Sequence, residues 1–290
     1  MSVPAFDVIV CGSLHLDIVV RASELPRIDE TAVGRSWSQV CGGKGGNQAV
    51  RAAGVGARTA MIGRVGADGF GERLREGLRA GQVDASGVGE DRAFGSGISV
   101  AIVKDDGDYG AVIVSGANLA IDAGSVRRDW DRLGGARVLI LQNEVPEEVN
   151  VAAARAARAD GAKVVLNAAP ARLSGPDLMA CVDVLVVNRV EAELLFGRAV
   201  ADRDDVVALL AAPAAACSIV VTLGGEGLVV APQGGQPAAI AAIPVPVRST
   251  HGAGDCFVGT LAARMAHGDG LADACRAANA AAAAYVSRPA

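Results

Sequence analysis

The segment Ser249-Thr250-His251-Gly252-Ala253-Gly254-Asp255-Cys256-Phe257, which runs into an alanine-rich helical tract reaching about Ala266, has the make-up of an anion site beside a base. Small residues at 252 to 254 let the backbone come close to a ligand, and successive N–H groups at a helix start stabilise negative charge. Asp255 then stands where it can take a proton from an alcohol delivered to that hole. The same residues also suit a plain structural role, in which Asp255 caps the helix and the glycines make its turn.

Three further clusters are open in the same way. Asn188 closes an apolar run and Glu191 follows three residues later, so an amide and a carboxylate on one helical turn can organise magnesium-bound water beside phosphates. They can equally be an N-cap and its capping-box partner. Thr222-Leu223-Gly224-Gly225-Glu226-Gly227 follows a strand-like run and can cradle a phosphate or nucleotide, although it matches neither G-x-x-x-x-G-K-[ST] nor G-x-G-x-x-G. Asp17 and Gly43-Lys44-Gly45-Gly46-Asn47 offer carboxylate, amide and backbone groups suited to a polyhydroxylated ligand, because a hydroxyl buried unpaired is costly. Taken singly, Asp17 is also a turn residue and Lys44 a solvated loop charge.

These residues need elements to position them, and the chain supplies alternating ones. Val8 to Cys11 reads as a buried strand ending in a functional loop at Gly12 and Ser13, and Gly42 to Gly46 as a loop feeding a helix over Asn47 to Val55. Thr59 to Arg64 is the next strand and Gly71 to Ala80 an amphipathic helix. Gly97 to Val103 and Gly110 to Val114 flank the turn Lys104-Asp105-Asp106-Gly107-Asp108 and form a hairpin that stands away from the main body as a lid or a dimer contact. From there strands are expected at Arg137 to Gln142, Lys163 to Asn167, Asp183 to Asn188 and Ile219 to Thr222. Pro146 is expected at the first position of a helix reaching Ala159. Strands alternating with helices require a mainly parallel sheet covered on both faces.

Composition narrows the function. The 290 residues are 51% apolar and 20% charged, and the 37 glycines follow no period, which fits a globular α/β chain rather than a fibrous one. With 27 basic against 32 acidic side chains, a net charge of -5 and 3% aromatic residues, the chain has neither the charge nor the stacking surface of a nucleic-acid binder. The six cysteines form no C-x-x-C pair and read as reduced cytosolic thiols, so no zinc site is expected and the protein is placed in the cytoplasm. No signal-peptide pattern opens the chain. Val206 to Leu223, divided by Pro213, reads as a buried helix and a strand rather than a membrane span.

In order along the chain, Gly12-Ser13-Leu14-His15-Leu16-Asp17, Gly42-Gly43-Lys44-Gly45-Gly46-Asn47, Asn188-x-x-Glu191, Thr222-Leu223-Gly224 and Gly252-Ala253-Gly254-Asp255 resemble the PfkB family of carbohydrate and nucleoside kinases, and within it the ribokinase-like members. The resemblance covers nearly the whole chain. It implies a single ribokinase-like domain over 1-290, a doubly wound, mainly parallel sheet with helices on both faces, and a small β-sheet lid from segments near 14-41 and 94-115. The implied activity is ATP-dependent phosphorylation of a sugar hydroxymethyl group. A nucleoside kinase for purine nucleosides or pseudouridine, and a non-catalytic sugar or nucleoside binder, are the alternatives. A homodimer through the lid is implied as well.

Carried over residue by residue, the resemblance makes Asp255 the general base and the N–H groups of Gly252, Ala253 and Gly254 the anion hole. His15, Asp17, Gly43, Lys44, Asn47 and Glu144 would meet the sugar, Lys44 in a weaker role. Thr222, Gly224, Gly227 and Asn279 would border ATP, with Asn188 and Glu191 holding magnesium through water. Three departures stand out. His15 replaces the asparagine typical of ribokinase-like members, so the hydroxyl pattern it reads need not be that of ribose; His251 replaces a frequent threonine. Ser249 replaces the aspartate of potassium-activated members and argues against potassium activation. Relatives commonly continue past the position of Ala290 through a loop and a helix, which leaves two readings open: some nucleotide-side or cation-side contacts lie outside this sequence, or the protein is short.

Overall fold

Short apolar runs rich in valine, isoleucine and leucine become strands, and the amphipathic or alanine-rich tracts between them become helices. The computed structural model describes residues 4–105, 108–211 and 216–288. In chain order its strands are β1 (Phe6–Cys11), β2 (His15–Ala22), β3 (Gly34–Gly42), β4 (Thr59–Gly66), β5 (Val83–Asp84), β6 (Val88–Asp91), β7 (Gly97–Val103), β8 (Tyr109–Val114), β9 (Ala136–Gln142), β10 (Lys163–Asn167), β11 (Val184–Asn188), β12 (Ser218–Thr222), β13 (Leu228–Ala231) and β14 (Ala238–Ile240). Its helices are α1 (Lys44–Gly54), α2 (Gly69–Ala80), α3 (Ala123–Leu133), α4 (Glu147–Ala159), α5 (Pro176–Met179), α6 (Arg189–Phe196), α7 (Arg203–Leu210), α8 (Ala253–Ala266) and α9 (Leu271–Val286).

The central sheet runs β14-β13-β12-β11-β10-β9-β1-β4-β5, with β6 pairing separately along β4. Every pairing from β5 to β12 is parallel, and β13 and β14 add an antiparallel edge that no expectation had covered. Alternate residues of a strand point to opposite faces. In β1, Ile9 and Cys11 pack with Trp130, Val149 and Leu178 on one side, while Val8 and Val10 pack with Ala52, Leu261 and Cys275 on the other. Both faces are therefore covered, and each fully buried leucine or isoleucine stabilises the fold by roughly 1.5–3 kcal/mol relative to exposure. This is the doubly wound architecture expected.

A second sheet, β3-β2-β7-β8 among the described residues, stands apart as the lid. Its hairpin of β7 and β8 is antiparallel as expected, whereas β2 and β7 pair in parallel. Asp106 and Gly107 of the expected turn lie outside the described residues, as does Pro213. Among the described residues no helix is long and apolar enough to cross a membrane. Within Val206 to Leu223 the structure has the end of α7 and then β12, in agreement with the helix-and-strand reading.

Three helix starts differ from expectation, α2 beginning at Gly69 rather than Gly71, where Asp68 caps it by accepting from Gly71 N. α1 begins at Lys44, inside the glycine cluster, because Gly43 at φ 84° supplies the turn and Gly45 and Gly46 pack directly against the backbone and side chains of Ser13 and Leu14. Pro146 is the N-cap residue of α4 rather than its first helical residue, and Glu147 and Glu148 occupy the first turn, where the helix dipole favours them.

Candidate active site

Four neighbouring parallel strands end on hydrogen-bonding side chains: Gln142 on β9, Asn167 on β10, Asn188 on β11 and Thr222 on β12. Gln142 is paired with Asn167 in register, and Asn188 with Thr222, so the four form a polar edge at the carboxyl ends of the strands. Open α/β sheets bind ligands at that edge. The N-termini of α1 and α8 face it and bring Lys44 and Asp255 to the same place.

Gly252, at φ 77°, is the N-cap of α8 and puts Asp255 in the first turn. Asp255 is 8% exposed. Its Oδ2 accepts from Asn47 Nδ2 at 3.0 Å and its Oδ1 from Gln48 Nε2 at 2.9 Å. Burial raises its carboxyl above the ordinary value; the Lys44 charge and the two amide donors oppose that rise, and Glu144 adds to it. Among the described residues the N–H groups of Gly252 and Gly254 have no backbone acceptor. That of Ala253 donates to Thr250 O at 3.2 Å, so of the three expected N–H donors only those of Gly252 and Gly254 lack a backbone partner. A Cβ on Gly254 would meet nothing within 4 Å, so the backbone there is open to a ligand.

A cavity of about 200 Å³ connects these groups, lined by Lys44, Asn167, Asn188, Glu191, Thr222, Gly252, Gly254 and Asp255. No described hydrogen bond or ion pair takes up the Lys44 ammonium, yet its charge is felt by Asp255, Glu191 and His15. Asn188 and Glu191 form the capping box: Asn188 Oδ1 accepts from Glu191 N at 3.0 Å, and Glu191 accepts from Asn188 N and Nδ2 at 2.7 and 2.9 Å. The capping-box reading is the one the structure has, and the same pair lines the cavity. Burial raises the Glu191 carboxyl, against the Asn188 bonds and the Lys44 charge.

The residues expected to meet a sugar gather around the first loop. Glu144 Oε2 accepts from the Ser13 hydroxyl and, at 2.9 Å, from Lys44 N, and stands 3.9 Å from His15 Nδ1. Glu144 thus straps the Ser13 turn to the start of α1. His15 is buried, with Nε2 3.3 Å from Asn118 Nδ2, and burial lowers its pKa while Glu144 and Asp17 raise it. Asn118 also bonds Leu14 N and Leu14 O, at 2.9 and 2.8 Å, and so fixes the loop's path. Asp17 lies against Gly42, too close for any Cβ there. Burial raises the Asp17 carboxyl, and His15 and His251 oppose the rise. His251 and Ser249 are exposed.

Beyond Ala253 a second cavity of about 740 Å³ opens between the Gly224–Glu226 turn, the 241–247 segment and α9. Gly224, Asn279 and Thr250 line it with Ile243, Val245 and Val286, and Asn279 Nδ2 donates to Ala241 O at 2.9 Å. Thr222 lines the smaller cavity instead. Gly227 lines neither: at φ 94° it packs on the backbone of Ile240 to Ala242, and its part is to turn β12 into β13.

Among the described residues no three histidine, cysteine or acidic side chains cluster as metal ligands. Both Glu191 oxygens already accept a bond and retain lone pairs for water, which suits a hydrated magnesium ion held chiefly by phosphates. Gln48, Gln142, Asn167 and Asn118 were missed from the sequence as site residues. For Gln142 and Asn167 the available signal was that successive apolar strands end in Gln, Asn, Asn and Thr.

Residues 5–290 match the family described as pfkB family carbohydrate kinase. The chain is 34% identical over 264 residues to a ribokinase of Mus musculus, covering 90% of this chain and 82% of that one. It is 29% identical over 259 residues to a deoxyribokinase of Salmonella typhi, covering 88% and 84%. Its fold matches the structure of an Arabidopsis thaliana ribokinase complexed with ribose and ATP with a TM-score of 0.88 and 28% identity, covering 100% of this chain and 94% of that one.

Proposed function

The chain belongs to the pfkB family of carbohydrate kinases and is an ATP-dependent carbohydrate kinase, and from that premise we propose that it phosphorylates the hydroxymethyl group of a free pentose. The observation that carries the reading is Asp255, a buried carboxylate held by two amides between the Lys44 ammonium and the unpaired N–H groups that open α8. In the proposed reaction Asp255 takes the hydroxyl proton as that oxygen bonds to the γ-phosphorus of ATP and the bond from phosphorus to the departing ADP oxygen breaks. Gly252 and Gly254 N–H and the Lys44 ammonium face the charge on the transferring group. His15, Asp17, Gly43 and Asn47 hold the sugar hydroxyls, with Glu144 fixing the loop that carries them. Gly224 and Asn279 border the nucleotide in the larger cavity, and Thr222 the phosphates.

Asn188 and Glu191 would hold magnesium through water. When bound, that ion would offset phosphate charge. Ser249 offers an exposed hydroxyl where a carboxylate would bind a monovalent cation better, so turnover is expected to be indifferent to potassium. Further parts of the reading are one domain closed by the small sheet, from segments near 14-41 and 94-115, and a homodimer through that sheet. Exposed Trp37, Tyr109, Val112 and Ile113 support the dimer. Six free cysteines suit a reducing cytoplasm.

The test is magnesium- and ATP-dependent phosphorylation of ribose, 2-deoxyribose, other pentoses, ketohexoses, purine nucleosides and pseudouridine, with acceptor-free ATP hydrolysis subtracted. A free pentose should be preferred. Preference for a nucleoside would overturn the pentose reading, and ATP binding without turnover on any acceptor would overturn the kinase mechanism.

A further inference from the structure

Beneath Asp255 lies a chain of amides that the proposed mechanism leaves unused. Gln48 is fully buried on the first turns of α1. Its Nε2 donates to Asp255 Oδ1 at 2.9 Å and to Asn167 Oδ1 at 3.0 Å, and its Oε1 accepts from Gln142 Nε2 at 2.8 Å. Both amide hydrogens and the carbonyl are therefore committed. Turning the amide over would set its oxygen against the Asp255 carboxylate and the Asn167 oxygen together, and its NH₂ against that of Gln142. Asn167 is held in turn by Nδ2 donating to Val186 O at 3.4 Å. The Gln142 side chain lies against Gly12, where no Cβ fits, and its Oε1 has no described partner, so Gln142 Nε2 is the end committed to Gln48.

We propose that Gln48 is a positioning residue for the base: fixed by Gln142 and Asn167, it holds Asp255 Oδ1 so that the carboxylate faces the cavity. The division of labour with Asn47 follows from location. Asn47 also bonds Asp255 but is half-buried at the sugar loop and is free to exchange partners when a sugar binds, whereas Gln48 is sealed from any ligand. A donor to the ionised carboxylate favours that form against the cost of burial. Gln48 thus keeps the base both aimed and ionised. The proposal rests on Asp255 being the base.

The test is the pH profile of kcat/KM for the preferred acceptor in Gln48→Met, beside wild type and Asp255→Asn, with ATP affinity measured by calorimetry. Loss of the donor should lower kcat by about tenfold or more and move the acid limb up by about one pH unit. ATP affinity should stay within about twofold. Gln142→Met touches neither Asp255 nor the cavity but removes the donor that anchors the Gln48 carbonyl, and should move the limb the same way by less. It decides the matter if Gln48→Met does not fold. An unmoved limb with kcat within about twofold of wild type, in whichever of these variants folds, overturns the proposal. If Asp255→Asn remains active, the base itself is wrong; if it is inactive while the limb stays put in the amide variants, only the role of Gln48 fails.

Discussion

In the central sheet Ile9 and Val10 are both fully buried because helices cover both faces, whereas every residue of β8 in the small sheet is exposed. The same residue types serve both: β8 is Tyr-Gly-Ala-Val-Ile-Val, as apolar as β1. The difference is in what lies over them. The central sheet gathers the candidate site at its strand ends, where a scaffold packed on two sides holds amides and carboxylates in fixed geometry. The small sheet lacks cover on its outer side, which suits an element that moves over a bound sugar or meets a second copy of itself.

Cutting into each sheet should separate the two. Leu139→Ala, at a fully buried position of β9, should cost about 2–5 kcal/mol of unfolding free energy, read from chemical denaturation. Val112→Ala, at a position 67% exposed, should stay within about 0.5 kcal/mol by the same measurement. Equal losses would erase the contrast. Placing like charges on the small sheet with Val112→Asp and Ile113→Asp should weaken the proposed dimer by about tenfold or more, or about 1.4 kcal/mol, in sedimentation equilibrium. Unfolding of the monomer should change little. Unchanged association would move the dimer contact elsewhere.

Acidity probes the rigid side. Burial holds the Asp255 carboxyl above its ordinary value, so the ionised form that the proposed base requires is lost as pH falls through that raised value. The logarithm of kcat/KM should therefore bend to a slope of one on the acid side, above the pH at which an exposed aspartate would titrate. The smallest effect belongs to the join between the sheets. His15 begins β2 beside Glu144, and His15→Asn should shift the sugar KM by up to about tenfold with ATP KM unchanged.

Much of the central sheet could be read from the chain, since a buried parallel strand is an uninterrupted apolar run and Lys163–Asn167 has the observed bounds. The first half of the small sheet was harder. Gly34–Gly42 (Gly-Arg-Ser-Trp-Ser-Gln-Val-Cys-Gly) is mostly exposed, so it carries no apolar run or clean alternation; only the family resemblance pointed to it. Cavity-lining residues in glycine motifs were legible because close backbone approach demands glycine next to them. Asp255, Lys44, Asn188 and Glu191 do meet at one cavity. Gln48 and Asn118 were not legible, because one amide among apolar neighbours looks the same whether it bonds a carboxylate or only its own segment. The partner of Ala253 N–H could not be read either, because an N–H at a helix start is free only if the preceding turn leaves it so, and Thr250 O takes this one.

The most direct test of Asp255 as the base is Asp255→Asn assayed by single-turnover phosphoryl transfer to the preferred sugar, with ATP binding measured on the same sample. A fall in rate of about 10²–10⁴ with ATP affinity within about twofold is the expected result. Turnover near that of wild type would contradict the account.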